Sequence, residues 1–151
     1  MKNIFLILSF ILLCHLTPAQ TLTMDKVPKD AQHAFRAKYP AAQQESWERV
    51  GESTYQVGFF NAKKAQTARF DYSGKWLQTE TDITGGQIPR PVNQGIMKNF
   101  PGFDIQIISQ IENPDGSLTY EAVLFKAREN YDVTFSAKGD VLKKEAGQVN
   151  E

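Results

Sequence analysis

Two segments of the chain place apolar side chains at helical spacing, and the two segments resemble each other. They read "VPKDAQHAFRAKYP" (residues 27–40) and "IPRPVNQGIMKNFP" (residues 88–101). Pro fits the first turn of a helix and forces the residue before it out of the helical conformation, so each segment predicts a helix of about three turns. The apolar stripes of these helices consist of Ala31, Ala34, Phe35 and Tyr39, and of Val92, Ile96 and Phe100.

After each helix the apolar positions alternate with polar ones, which predicts strands. The predicted strands cover residues 44–50, 54–61, 67–72 and 75–81, and then 104–112, 118–127, 131–137 and 140–146. The dipeptides Ser73-Gly74 and Lys138-Gly139 are typical of two-residue hairpin loops, and Pro and Gly within residues 113–116 indicate a tight turn. The short connections favour antiparallel pairing.

The two halves of the chain align with each other over their whole length. Val27 aligns with Ile88 and Tyr39 with Phe100, an offset of 61; after four additional residues in the second half, "TYQVGFF" aligns with "TYEAVLF". We therefore predict an α+β fold of two tandem α-β-β-β-β repeats, with an antiparallel sheet and both helices on one face. The predicted boundaries are residues 24–84 for repeat 1, 85–87 for a linker and 88–147 for repeat 2. We expect the halves to complete each other's core.

The N-terminal residues have the three parts of a secretory signal: Lys2, an apolar run over residues 4–16, and a short tail ending at Ala19. We predict a signal peptide over residues 1–19, with cleavage after Ala19 or Gln20, and a periplasmic or secreted location. The apolar run is shorter than a membrane span, which disfavours a retained anchor. Lipid attachment at Cys14 is an alternative, although Leu13 is bulkier than the residue that such signals place before the cysteine.

Charge argues against a nucleic-acid partner. The chain carries 17 basic and 17 acidic side chains, and Lys and Arg cluster only in pairs. Such a balance provides no long-range field to hold a polyanion. After the signal segment no further membrane span is expected. An exported chain without cysteine after that segment must be held together by its core.

Most catalytic chemistry is missing from the sequence after residue 20. It has no cysteine, a single histidine (His33) and none of the common nucleophile, metal-protease or phosphate-loop motifs. We therefore predict no enzyme activity, no catalytic or metal-ligating residues and no cofactor, with His33 on the surface. The remaining candidates for a glycosidase or calcium site are carboxylates, although solvated strand positions explain them as well. They are Asp71, Glu80, Asp82, Glu112, Asp115, Glu121 and Asp132.

One hairpin suggests a binding surface. A two-residue loop would pair Phe70 with Leu77 in the core, as it would Phe135 with Leu142, and would place neighbouring residues on the face that the helices leave uncovered. A tryptophan beside charged residues on an open sheet is typical of a binding hot spot. A tryptophan covered by a loop or by the other repeat is the alternative, and Trp47 is expected in the core. The candidate binding residues are Trp76, Arg69, Asp71 and Gln78.

The helix ending in Tyr-Pro or Phe-Pro, followed by "ARFDYSGKWLQTE" or "VTFSAKGDVLKKE", resembles the PepSY-like family, also described as similar to the β-lactamase inhibitory protein fold. The resemblance covers nearly all of the chain after the signal segment. It implies secreted or periplasmic non-enzymatic domains, often in tandem, that bind or inhibit other proteins. It supplies no binding residues.

Three functions of different classes remain open. Binding of an unknown exported protein predicts an apolar patch rimmed by charge on the uncovered sheet face. A carrier of a small apolar or envelope-derived ligand predicts an enclosed cavity between sheet and helices. A hydrolase predicts carboxylates that converge in a cleft with perturbed pKa values. The resemblance favours the first.

Overall fold

Each predicted helix lies between its two prolines. The computed structural model describes residues 21–147, so the predicted signal segment and Cys14 lie outside the described residues. Helix α1 covers Lys29–Lys38 and helix α2 covers Arg90–Asn99, each preceded directly by a proline. Tyr39 and Phe100 follow the helices with φ near −130°, outside the helical region, because a proline comes next. Neither helix is long and apolar enough to cross a membrane.

The strands form one antiparallel sheet in which every strand pairs with its neighbour in sequence. They are β1 (Thr21–Leu22), β2 (Gln43–Arg49), β3 (Thr54–Asn61), β4 (Lys64–Asp71), β5 (Trp76–Asp82), β6 (Asp104–Glu112), β7 (Leu118–Lys126), β8 (Glu129–Ser136) and β9 (Val141–Ala146). Strand β1 and the short 3-10 turns at Met24–Lys26 and Gly85–Gln87 are additions to the predicted elements. The predicted α+β class, with both helices on one face, is confirmed.

The two repeats share the sheet but not the core. Strand β5 pairs with β6, from Thr79 opposite Glu112 to Asp82 opposite Ser109, and this junction makes the sheet continuous. One buried cluster gathers around Phe35 of α1 and a second around Ile96 of α2. Each cluster is built almost entirely from its own repeat because each helix covers its own strands. The expectation that the halves complete each other's core is therefore wrong, and strand pairing joins them instead.

The two hairpin loops are longer than predicted. The Asp71 amide donates to the Lys75 carbonyl (3.0 Å) and the Gly74 amide to the Asp71 carbonyl (3.1 Å), which closes a loop of three residues rather than two. Gly74 has φ +84°, as the last residue of such a loop requires. Ser136 and Asp140 close the equivalent loop of repeat 2. The extra residue changes which strand residues pair beyond the loop.

Each hairpin tip packs against the first turn of the helix in its own repeat. A Cβ on Gly139 would lie 2.1 Å from the Pro91 carbonyl oxygen, and one on Gly74 would lie 2.6 Å from that of Asp30. These glycines therefore meet two requirements at once, a positive φ and a close approach of two backbones. The contact fixes where each helix begins on the sheet.

Replacing Gly139 tests this contact. We expect Gly139→Ala to lower the free energy of unfolding by at least about 2 kcal/mol, because a Cβ is strained at positive φ and meets the α2 backbone. Gly86→Ala is the matched control, since a Cβ there meets no atom within 4 Å, and should change stability by no more than about 0.5 kcal/mol. Urea denaturation measures both. Equal effects of the two variants would contradict the contact.

Candidate functional site

Trp76 lies on the helix-covered face, which corrects the prediction that it faces away from the helices. Because the hairpin loop has three residues, Trp76 pairs with Phe70 rather than with Asp71. Arg69 pairs with Gln78, so Leu77 is an extra residue in β5 and forms a β-bulge. The bulge restores the alternation, and Arg69 and Gln78 share the uncovered face as predicted.

Trp76 belongs to a network between α1 and the β5–β6 junction. Its indole N–H donates to the Thr79 hydroxyl (2.9 Å), which also bonds the Tyr39 hydroxyl. The Lys38 ammonium lies 3.6 Å from the centroid of the Trp76 rings and 3.4 Å from a Glu112 carboxylate oxygen. Burial raises the pKa of the Tyr39 phenol. These contacts connect the end of α1 to both repeats, which is a structural role.

Repeat 2 contains the same bulge without the tryptophan. Phe135 pairs with Val141, and Leu142 is the extra residue with 58 % of its surface exposed. Phe70 and Phe135 are fully buried as predicted, whereas the prediction of a core position is wrong for Leu142, and Leu77 is only half-buried. The bulge is the reason, because it removes these leucines from the regular pairing.

Asp71 points to the uncovered face by register, but its carboxylate builds the turn. It accepts hydrogen bonds from the Ser73 hydroxyl (2.6 Å), the Ser73 amide (2.9 Å) and the Lys75 amide (2.9 Å). These bonds, that of the Ser73 side chain above all, hold the pKa of Asp71 below its usual range. Of the four candidate binding residues, Arg69 and Gln78 are therefore the ones whose side chains lie on this face of the strands without forming the turn.

We call the sheet face that neither helix covers the open face. It carries large exposed apolar side chains that the sequence reasoning did not single out. Phe60 of β3 and Phe125 of β7 occupy equivalent positions in the two repeats, and each is 44 % exposed. Ile107 is 53 % exposed and lies opposite the half-buried Val123. The segments "GFF" (residues 58–60) and "VLF" (residues 123–125) indicate these exposed positions, because the phenylalanine that follows each core residue must point outward.

The charge of the open face is strongly acidic. By strand pairing, this face holds eight carboxylates and two cations, in a chain whose basic and acidic side chains are equal in number. The carboxylates are Glu48, Asp71, Glu80, Asp82, Asp104, Glu121, Asp132 and Glu145, and the cations are Arg69 and Lys143. The basic residues of the chain therefore lie mainly elsewhere.

Glu121 of β7 lies among charged side chains of the open face that change its pKa. Partial burial of its carboxylate raises its pKa, and the like charges of Glu80 and Asp132 raise it further, while Arg69 and Lys143 oppose the shift. Both cations have partners of their own. The Arg69 Nε–H donates to the Gln56 side chain (2.9 Å), and the Lys143 ammonium lies 2.8 Å from the Glu145 carboxylate.

Repeat 1 also contributes an open cleft of about 380 Å³ on this face. Gly58 lies on its floor, and a Cβ there would meet nothing within 4 Å. The equivalent residue of repeat 2 is Val123, whose side chain occupies the position that Gly58 leaves open. Its lining includes Ser46, Gly58, Phe60, Thr67, Arg69 and Glu80.

Two further clefts, of about 390 and 560 Å³, are lined by strand and loop residues. The first lies beside the linker, against Ile83, Ile88, Ile105 and Ile107. His33 is exposed on α1. Within residues 21–147, no group of three or more His, Cys, Asp or Glu side chains is placed to hold a metal ion.

Residues 53–143 match the model of a protein family described as "Putative beta-lactamase-inhibitor-like, PepSY-like". A search of the curated proteins found no match. Among solved structures, a BLIP-like protein from Bacteroides fragilis is similar, with 22 % identity, a TM-score of 0.71 and coverage of 82 % of this chain and 89 % of its own. A protein from Bacteroides eggerthii, described among "putative periplasmic proteins", has 21 % identity, a TM-score of 0.72 and coverage of 80 % and 88 %.

The fold and the family match define the class of protein. It is an α+β protein with the architecture of the BLIP-like structures. The chain belongs to the PepSY-like family, because the match covers more than half of it. The family match begins before β3 and ends in β9, so it includes parts of both repeats. The description of the neighbour as periplasmic agrees with the location that the N-terminal segment predicts.

Truncating Trp76 tests its place in the core. We expect Trp76→Ala to lower the free energy of unfolding by at least about 2 kcal/mol, because it removes packing against α1. Val141→Ala, at the equivalent position of repeat 2, should cost less than about 1 kcal/mol, since Val141 is exposed. Urea denaturation followed by circular dichroism gives both values. A loss below about 1 kcal/mol for Trp76→Ala would place the indole on the open face after all.

The pH dependence of stability tests the raised pKa of Glu121. Because its pKa is raised in the folded protein, the folded state binds more protons than the unfolded state, and stability falls as the pH rises through the folded pKa. Glu121→Gln removes this loss, so its gain in stability over wild type should be larger at about pH 7 than at about pH 4. Urea denaturation at both pH values measures it. The control Glu52→Gln should show no such increase, and a flat difference for Glu121→Gln would contradict the raised pKa.

Proposed function

We propose that the protein binds another exported protein through the open face and has no enzyme activity of its own. The observation that carries this proposal is the set of exposed apolar side chains on a sheet face that no helix covers. Phe125, Ile107 and Val123 lie on adjacent strands and form one patch. Phe60 adds the equivalent side chain of repeat 1.

The composition of the patch fits a protein interface. Interfaces have an apolar centre with aromatic residues and a polar rim, and exposed apolar patches on soluble proteins commonly mark such sites. Here the carboxylates of Glu121 and Asp132 and the ammonium of Lys143 lie beside the patch. Arg69 and Gln78 stay candidate contact residues on the same face, whereas Trp76 and Asp71 are assigned to the fold.

Two alternatives receive less support. The three clefts are open and lie on the open face, beside the linker and at the strand edge, rather than between the sheet and the helices as a ligand carrier requires. The charges of Glu80 and Asp132 act on Glu121, but these carboxylates stand on an open sheet surface, whereas a hydrolase needs carboxylates that converge in a cleft. The BLIP-like neighbour and the family description favour an inhibitor-like protein over an enzyme. We place this binding in the periplasm or outside the cell.

Site-specific photo-crosslinking in the producing cells tests the proposal. A benzophenone side chain at Phe125 should yield a covalent adduct with another exported protein, which mass spectrometry identifies. The matched control is the same probe at Met97, which is 66 % exposed on α2. Adducts from Met97 alone would overturn the assignment to the open face.

The partner recovered in this way gives a second measurement. Phe125→Ser should weaken its binding at least about tenfold, because an apolar contact at the centre of an interface is lost. The free protein should keep its fold, since Phe125 is exposed. Unchanged affinity would show that the open face is not the binding surface.

A further inference from the structure

We infer that the open face recognises a cationic protein segment, in which Lys or Arg side chains surround an apolar contact. This inference rests on the proposed function and names the chemistry of its partner. Three observations of the described residues support it: the charge of the face, the grouping of the carboxylates at its centre, and the position of the apolar patch among them.

The fold explains only part of the charge bias of the open face, since Asp71 builds a turn and Asp82 accepts a hydrogen bond from Ser109. The chain as a whole is neutral, yet the paired strand residues on this one face include eight carboxylates and two cations. Like charges on neighbouring strands repel each other and lower stability. A partner with cationic side chains removes that repulsion on binding and is steered toward the face over a distance of about 10 Å.

The central carboxylates are short of cations within the molecule. Glu121 lies among Glu80, Asp132, Arg69 and Lys143, and the carboxylates outweigh the cations in their effect on it. Arg69 already donates to Gln56, and Lys143 is paired with Glu145. A Lys or Arg side chain from a partner would supply the missing opposite charge at this point.

The apolar patch lies directly beside these carboxylates. Val123 stands opposite Asp132 across β7 and β8, and Ile107 stands opposite Val123 across β6 and β7. Asp104 lies opposite Phe125. A partner segment that covers the patch therefore brings its flanking side chains within reach of carboxylates on both sides. The same partner segment must therefore make the apolar contact and neutralise the carboxylates.

Part of this surface is found in repeat 2 alone, although a phenylalanine at the position of Phe125 is common to both repeats. Ser46 and Gln56 of repeat 1 correspond to Ile107 and Glu121 of repeat 2. The buried equivalents Phe70 and Phe135, by contrast, are identical. Repeat 2 thus has both the added apolar side chain and the added carboxylate, and the two differences coincide in the patch.

The chemistry of the partner is tested by selecting peptides from a random library that bind the immobilised exported protein. Enriched peptides should carry net positive charge together with aliphatic or aromatic residues. Their affinity should fall at least about tenfold for Glu80→Gln/Glu121→Gln. The control Asp25→Asn/Glu52→Gln also removes two exposed carboxylates, away from the open face, and should change the affinity less than about twofold. Affinity should also decrease as salt is added.

Changes in the backbone amide NMR shifts on adding an enriched peptide distinguish a failure of the cationic chemistry from a failure of the proposed function. Shifts at Ile107, Glu121 and Phe125 with a neutral or acidic peptide would overturn the cationic chemistry and leave the open face as the binding surface. Shifts confined to α1 and α2 would overturn the proposed function itself. An equal loss of affinity for both double variants, or no enrichment of basic residues, would likewise refute the inference.

Discussion

Burial of two short helices against the same face of one sheet determines the rest of this molecule. Phe35 is surrounded by Tyr39, Trp47, Phe59 and Phe70 with ring centroids 5.0–6.2 Å apart, so that α1 is held by aromatic packing. Helix α2 repeats the arrangement with Ile96 at the position of Phe35. Because the chain has no further helix among the described residues, the opposite face remains in contact with solvent. The side chains that are exposed there are not required by the core.

Side-chain periodicity predicted the helices, most strands and the fold class, because proline positions and alternation are local properties of the chain. It could not predict the face of Trp76. That face depends on whether the hairpin loop has two residues or three, and the three-residue loop is set by the Asp71 hydrogen bonds and the positive φ of Gly74. The bulge at Leu77 adds a second shift of one residue. Both are small differences in backbone hydrogen bonding with a large effect on side-chain direction.

The sequence likewise predicted only part of the candidate surface. Arg69 and Gln78 could be placed because they lie beyond the bulge, where the two shifts cancel. The patch around Phe125 and Ile107 could not be assembled, since it requires the register between β6 and β7, including the irregularity at residues 105–107. The crowding at Glu121 depends on Glu80, which reaches it only through the β5–β6 junction. Contacts between repeats cannot be read from the repeats themselves.

The bulges at Leu77 and Leu142 have a consequence for how the chain tolerates changes in length. Elsewhere in a strand, loss of one residue exchanges the two faces of everything beyond it. Here the pairs on both sides of the extra residue already have the correct orientation, Phe70 with Trp76 and Arg69 with Gln78. Removing Leu77 would turn an irregular ladder into a regular one without reversing either face. Each repeat therefore contains at least one position at which a single-residue deletion is compatible with the same core and the same surface.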